Sequence, residues 1–108
     1  MSHMDDREKA FENKFVHDQK TGFRIEARTS KLFGLWAAEK MGLSGAEAGN
    51  YAAEVVSANL DEPGFDDIFK KVKTDLKAKN VEISDHALQT QIQKSHEEAK
   101  KQIFQETE

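Results

Sequence analysis

The chain reads as an all-α protein, a compact four-helix bundle with a flexible or marginally helical N-terminal arm. Three observations predict this. Apolar residues recur at spacings of three and four through most of the chain, the helical signature. Short breaks carrying Gly, Ser or the one proline divide those stretches into four. Runs rich in β-branched residues are nearly absent, which leaves little from which to build a sheet. At 108 residues the chain suits one small domain with a modest core.

The opening Met-Ser-His-Met reads as the scar of a cleaved expression tag, residues 1–4. Residues 5–20 form the arm. Asp5 and Asp6 suit the positive end of a helix, and Asp5 with Lys9 and Lys14 with Asp18 are four apart, each pair worth a few tenths of a kcal/mol (about 0.2–0.5). Ala10, Phe11, Phe15 and Val16 are too little apolar surface to offset the ordering of such a segment, so it should be marginal without a partner. Thr21-Gly22 then weakens helix continuity, because Gly costs about 1 kcal/mol relative to Ala inside a helix, and marks a hinge.

The bundle, residues 21–108, begins with a helix over 22–41. Ile25, Leu32, Trp36 and Leu43 are expected to project one way, flanked by Phe33 and Leu35. Gly34 inside this apolar run predicts a close helix crossing. Gly42 stops the helix. Ser44 opens the second, 44–59, with Glu47 at capping-box spacing and a stripe of Ala48, Tyr51, Ala52, Val55 and Val56. After "DEPG", Phe65, Ile68, Phe69, Val72 and Leu76 define a third helix over 65–79, ending near Asn80. Ser84 caps the fourth, 84–105, whose stripe is Leu88, Ile92, Ala99 and Ile103. Trp36 and Tyr51 read as core residues.

Composition excludes several functions. Without cysteine there are no disulfides, thiolate metal sites or cysteine nucleophiles. A net charge of −4 does not suit a protein that must neutralise many phosphates of a nucleic acid. No stretch approaches the roughly 18–20 apolar residues of a membrane span, so a soluble, cytoplasmic protein that is monomeric when free is expected. His86 and His96 are ten apart, and "HEEAK" lacks a second histidine four positions on, so no metal site is expected. "LDEPGFDD" lacks the alternating ligands of a calcium loop. With no phosphate loop or nucleophile motif, the chain does not read as an enzyme.

Two features point to binding. Phe11 and Phe15, one helical turn apart among charges, are anchors of the kind that dock into a partner's groove, with Arg7, Asn13 and Lys14 setting register; the competing reading is a small lid packed on the bundle. Lys20, Arg24, Arg28 and Lys31 line one face of the first bundle helix. They suit phosphates or an acidic partner, or else form a solvated face or pair internally with residues 44–69, which hold six acidic residues and no Lys or Arg.

"DDREKAFENKFVHD" at 5–18, "FRIEARTSKLFGLWAAEKMGL" at 23–43 and "VEISDH" at 81–86 resemble the alphaproteobacterial zeta subunit, the small inhibitor of the F-type ATP synthase. The resemblance covers nearly the whole chain after the scar. It implies a four-helix bundle whose arm enters an alpha/beta catalytic interface of the synthase's catalytic head, contacts alpha, beta and gamma subunits, and blocks ATP hydrolysis. The protein would then lie peripheral to the inner membrane through the synthase. The resemblance further implies weak regulatory binding of ADP or ATP without a required cofactor, and charge spacing nominates Arg24, Arg28 and Lys31 for the phosphates. Thr21-Gly22 departs from the good helix formers expected between arm and bundle. An adenine-nucleotide sensor acting on the ATPase indirectly, and a general helical interaction module, are the alternatives.

Overall fold

The computed structural model describes residues 18–60 and 64–106, with side chains described from Thr21 onward. Four helices follow in order: α1 (Asp18–Lys40), α2 (Gly45–Asn59), α3 (Asp66–Ala78) and α4 (Asp85–Glu106). The all-α four-helix bundle expected from periodicity is the fold. α1 packs against all three other helices and is its central member.

The helix ends follow from local chemistry. Gly42, at φ 81°, ends α1 in a left-handed turn. There the Leu43 amide donates to the Ala38 carbonyl at 2.8 Å and the Gly42 amide to Glu39 at 3.1 Å. α3 ends the same way with Asn80 at φ 62°, the Val81 amide reaching Leu76 at 2.9 Å and the Asn80 amide reaching Lys77 at 3.0 Å. Both are Schellman closures, which satisfy carbonyls that a helix end otherwise strands. At the start of α4, Ser84 Oγ accepts from the Ala87 amide at 3.1 Å, the expected cap.

The first helix departs from its sequence reading in two ways. Thr21-Gly22 is not a break, since α1 runs through it from Asp18. One glycine costs a helix only about 1 kcal/mol, which the neighbouring turns carry. The buried face is also rotated from the expected stripe. Ile25, Phe33, Ala37 and Ala38 are buried, together with Thr29 and Ser30, whereas Leu32, Trp36 and Leu43 are partly buried at the edge of the core. The buried hydroxyls are satisfied locally, Thr29 donating to the Ile25 carbonyl at 2.7 Å and Ser30 to Glu26 at 3.0 Å.

Small residues sit on that face because the helices meet closely there. A β-carbon on Gly34 would lie 2.9 Å from the Ala52 Cα and 3.1 Å from Val55 Cγ2, so the crossing expected at Gly34 is present. The main core joins Phe33, Ala37 and Ala38 of α1 to Tyr51 and Val55 of α2, Ile68, Val72 and Leu76 of α3, and Leu88 and Ile92 of α4. A smaller cluster of Ile25, Ala99 and Ile103 closes the other end of the α1 and α4 pair.

The expected capping box at the start of α2 is absent. Ser44 makes no side-chain cap bond, and Gly45 enters the helix at φ 59°.

Candidate functional site

The basic face of α1 is the part of the expected site that the described residues contain. Arg24 and Arg28 follow Ile25's side of the helix onto α4. Arg24 Nη2 lies 2.9 Å from Glu106 Oε1 and Arg28 Nη2 lies 2.8 Å from Glu106 Oε2, so one carboxylate joins two guanidiniums. Arg28 Nη1 also donates to Gln102 Oε1 at 2.6 Å. Gln102 Nε2 in turn donates to Glu98 at 3.0 Å. Lys31 is exposed and stands outside this set, with no ion pair among the described residues. The structure thus joins Arg24 with Arg28 and leaves Lys31 apart.

Of the readings open for the basic face, internal pairing holds for Arg24 and Arg28, with the far end of α4 as their partner and not residues 44–69. A signal was available in the sequence. Glu98, Gln102 and Glu106 repeat at four, as Arg24 and Arg28 do, and antiparallel helices bring matching four-residue ladders side by side. Arg7, Phe11, Asn13, Lys14 and Phe15 lie outside the described residues.

A second polar cluster, not foreseen, joins α2 to α3. The buried Tyr51 hydroxyl donates to Asp75 Oδ2 at 2.7 Å, and Lys71 Nζ bridges Asp75 at 3.1 Å and Glu54 at 3.2 Å. Lys71 also stands 5.3 Å over the Tyr51 ring. Burial, then the hydrogen bond to Asp75, raise the Tyr51 phenol well above its ordinary value. Burial alone would lower the Lys71 ammonium, but hydrogen bonds to Asp75 and Glu54 outweigh it and raise the group. These contacts tie α2 to α3.

Trp36, expected in the core, is half-buried. It stacks on the fully buried Phe33 with centroids 5.7 Å apart and ring planes 10° apart, and Lys40 covers it from 5.7 Å. His86 is exposed, and His96 meets the edge of Phe65 at 5.5 Å. Among the described residues no three His, Asp or Glu gather where a metal could be held, and no helix is long and apolar enough to cross a membrane. Among the described residues, one surface groove runs between the end of α3 and the start of α4, from Lys73 to Leu88, and another lies along α4 between Thr90 and Lys101; Arg24, Arg28 and Lys31 line neither of these.

The chain is thus a small all-α protein, a four-helix bundle whose basic face on α1 is paired with the end of α4. Over residues 1–102 the chain matches the family described as ATPase inhibitor subunit zeta, and it belongs to that family. Comparison with curated proteins gives no match. Family membership makes the chain a regulatory, non-catalytic subunit whose partner is the F-type ATP synthase, as the sequence resemblance implied.

Proposed function

We propose that the N-terminal arm, residues 5–20, carries the inhibition: it enters an alpha/beta catalytic interface of the synthase's head, with Phe11 and Phe15 as apolar anchors and Arg7, Asn13 and Lys14 setting register. The observation that supports this reading best is the course of α1. From Asp18 onward it passes through Thr21-Gly22 without a break, so residues 18–20 continue into the bundle as helix. A helical stem transmits orientation and resists thrust, which suits a bundle that must stay outside while its arm obstructs a closing interface.

A photoreactive side chain at position 15 tests the reading directly. On the cognate catalytic head it should crosslink to alpha and beta subunits, with gamma within reach of the arm's tip. Crosslinking from Lys94 on α4 and none from position 15 would move the contact to the bundle.

The nucleotide-sensor reading assigns Arg24, Arg28 and Lys31 to phosphates of ADP or ATP. Any phosphate reaching the two arginines competes with Glu106, which already satisfies both, so weak affinity is the natural result. Titrating ADP while following Trp36 fluorescence and amide shifts measures it, and an unchanged spectrum at millimolar nucleotide would discard the site.

A further inference from the structure

We infer that Glu106, assisted by Gln102, is a positioning residue for the inhibitory arm: the last turn of α4 clamps the stem of α1 from which the arm projects. The inference rests on the proposal that the arm delivers inhibition. It starts from what holds that stem. Ile25 is the first buried side chain described on α1; before it Thr21 and Gly22 are partly buried, Arg24 is exposed and Phe23 is 56% exposed. Ile25 packs in the small cluster with Ala99 and Ile103. Apolar contact of this kind is non-directional, so it holds the stem near α4 without fixing its rotation or axial register.

The polar contacts supply that direction. Glu106 presents one carboxylate oxygen to Arg24 and the other to Arg28, at 2.9 and 2.8 Å, while Arg28 reaches Gln102 at 2.6 Å. Two residues one turn apart on α1 thereby meet two residues one turn apart on α4. Planar guanidiniums bind a carboxylate with defined geometry, and a shift of α1 by one residue would break all three contacts. Among the described residues, Glu26 also makes a long-range polar contact near the stem, accepting from the Gly64 amide at 3.3 Å.

The clamp has little influence on whether the bundle folds. Arg24 and Glu106 side chains are 46% and 42% exposed, a setting in which ion pairs contribute little to global stability. The main core of Phe33, Val55, Ile68 and Leu88 lies elsewhere. Losing the clamp should therefore loosen the stem locally and leave global unfolding unchanged, which separates positioning from a merely structural role.

The test is Glu106→Gln in the full chain, read by amide hydrogen exchange, melting temperature and half-inhibitory concentration on the cognate ATPase head. Exchange at residues 19–24 should quicken by about three- to tenfold, while amides 33–38 and the melting temperature hold. The half-inhibitory concentration should rise by a similar factor. Inverting the clamp with Arg24→Glu, Arg28→Glu and Glu106→Arg should restore protection at 19–24. Unchanged exchange in Glu106→Gln overturns the clamp, and looser exchange with unchanged inhibition overturns its positioning role. A wild-type chain that does not inhibit overturns that role together with the arm proposal, and the exchange result still decides whether Glu106 holds the stem.

Discussion

Gly34 and Ala52 meet where α1 crosses α2, so closely that a β-carbon on Gly34 would stand 2.9 Å from the Ala52 Cα. The obstruction is backbone and cannot swing aside. Gly34→Ala should destabilise the bundle despite alanine's advantage of about 1 kcal/mol as a helix former, because overpacking a tight contact costs about 1–3 kcal/mol. A lower denaturation midpoint checks this, and an unchanged one would show that the helices separate freely.

Gly22 makes the opposite case. It lies inside α1 and nothing stands within 4 Å of the β-carbon it lacks. Gly22→Ala should stabilise the chain by about 0.5–1 kcal/mol and raise its helical circular dichroism signal. A loss of stability would mean that residue 22 uses a conformation other than helix.

Tyr51 and Lys71 make the bundle sensitive to alkali. Burial and Asp75 keep the phenol protonated in the folded state, whereas the unfolded chain releases that proton near its ordinary value of about 10. The folded state then holds more protons than the unfolded one, so stability declines as pH rises above about 10. Lys71 adds to the same slope, because its ammonium is also held above its ordinary value. Tyr51→Phe should cost about 0.5–1.5 kcal/mol at neutral pH and flatten the decline between about pH 10 and 11. A variant with the wild-type alkaline slope would remove Tyr51 from the account.

Trp36 and Phe33 stack, yet their truncations should differ. Phe33 is fully buried, and Phe33→Ala should cost about 3–5 kcal/mol. Trp36 is only half-buried, so Trp36→Ala should cost less, about 1–3 kcal/mol. Chemical denaturation of both variants gives the order, and a larger loss at Trp36 would return it to the core.

Much of this architecture was legible in the chain. Gly42, Asn80 and Ser84 announce their turns and cap through residue chemistry alone; the α4 stripe is buried where periodicity placed it, and of the α3 stripe Ile68, Val72 and Leu76 are buried while Phe65 and Phe69 are partly buried. α1 misled because its buried face is built from Thr29, Ser30, Gly34, Ala37 and Ala38. Small residues permit the close crossing, while a hydrophobicity pattern weights the larger Leu32 and Trp36 that lie at its edge. Ser44 and Glu47 match a capping box, but a left-handed Gly45 between them changes the geometry. The pairing of Arg24 with Glu106 spans 82 positions and depends on which helices become neighbours, so both ladders were visible in the sequence but not that they meet.

The central claim is that the N-terminal arm delivers the inhibition while the bundle serves as its mount. Its most direct test is the dose dependence of ATP hydrolysis by the cognate catalytic head, measured with the full chain and with a chain beginning at Asp18. The full chain should inhibit, and the shortened one should lose inhibition while keeping its melting temperature within a few degrees. A shortened chain that inhibits as strongly as the full one would contradict the account.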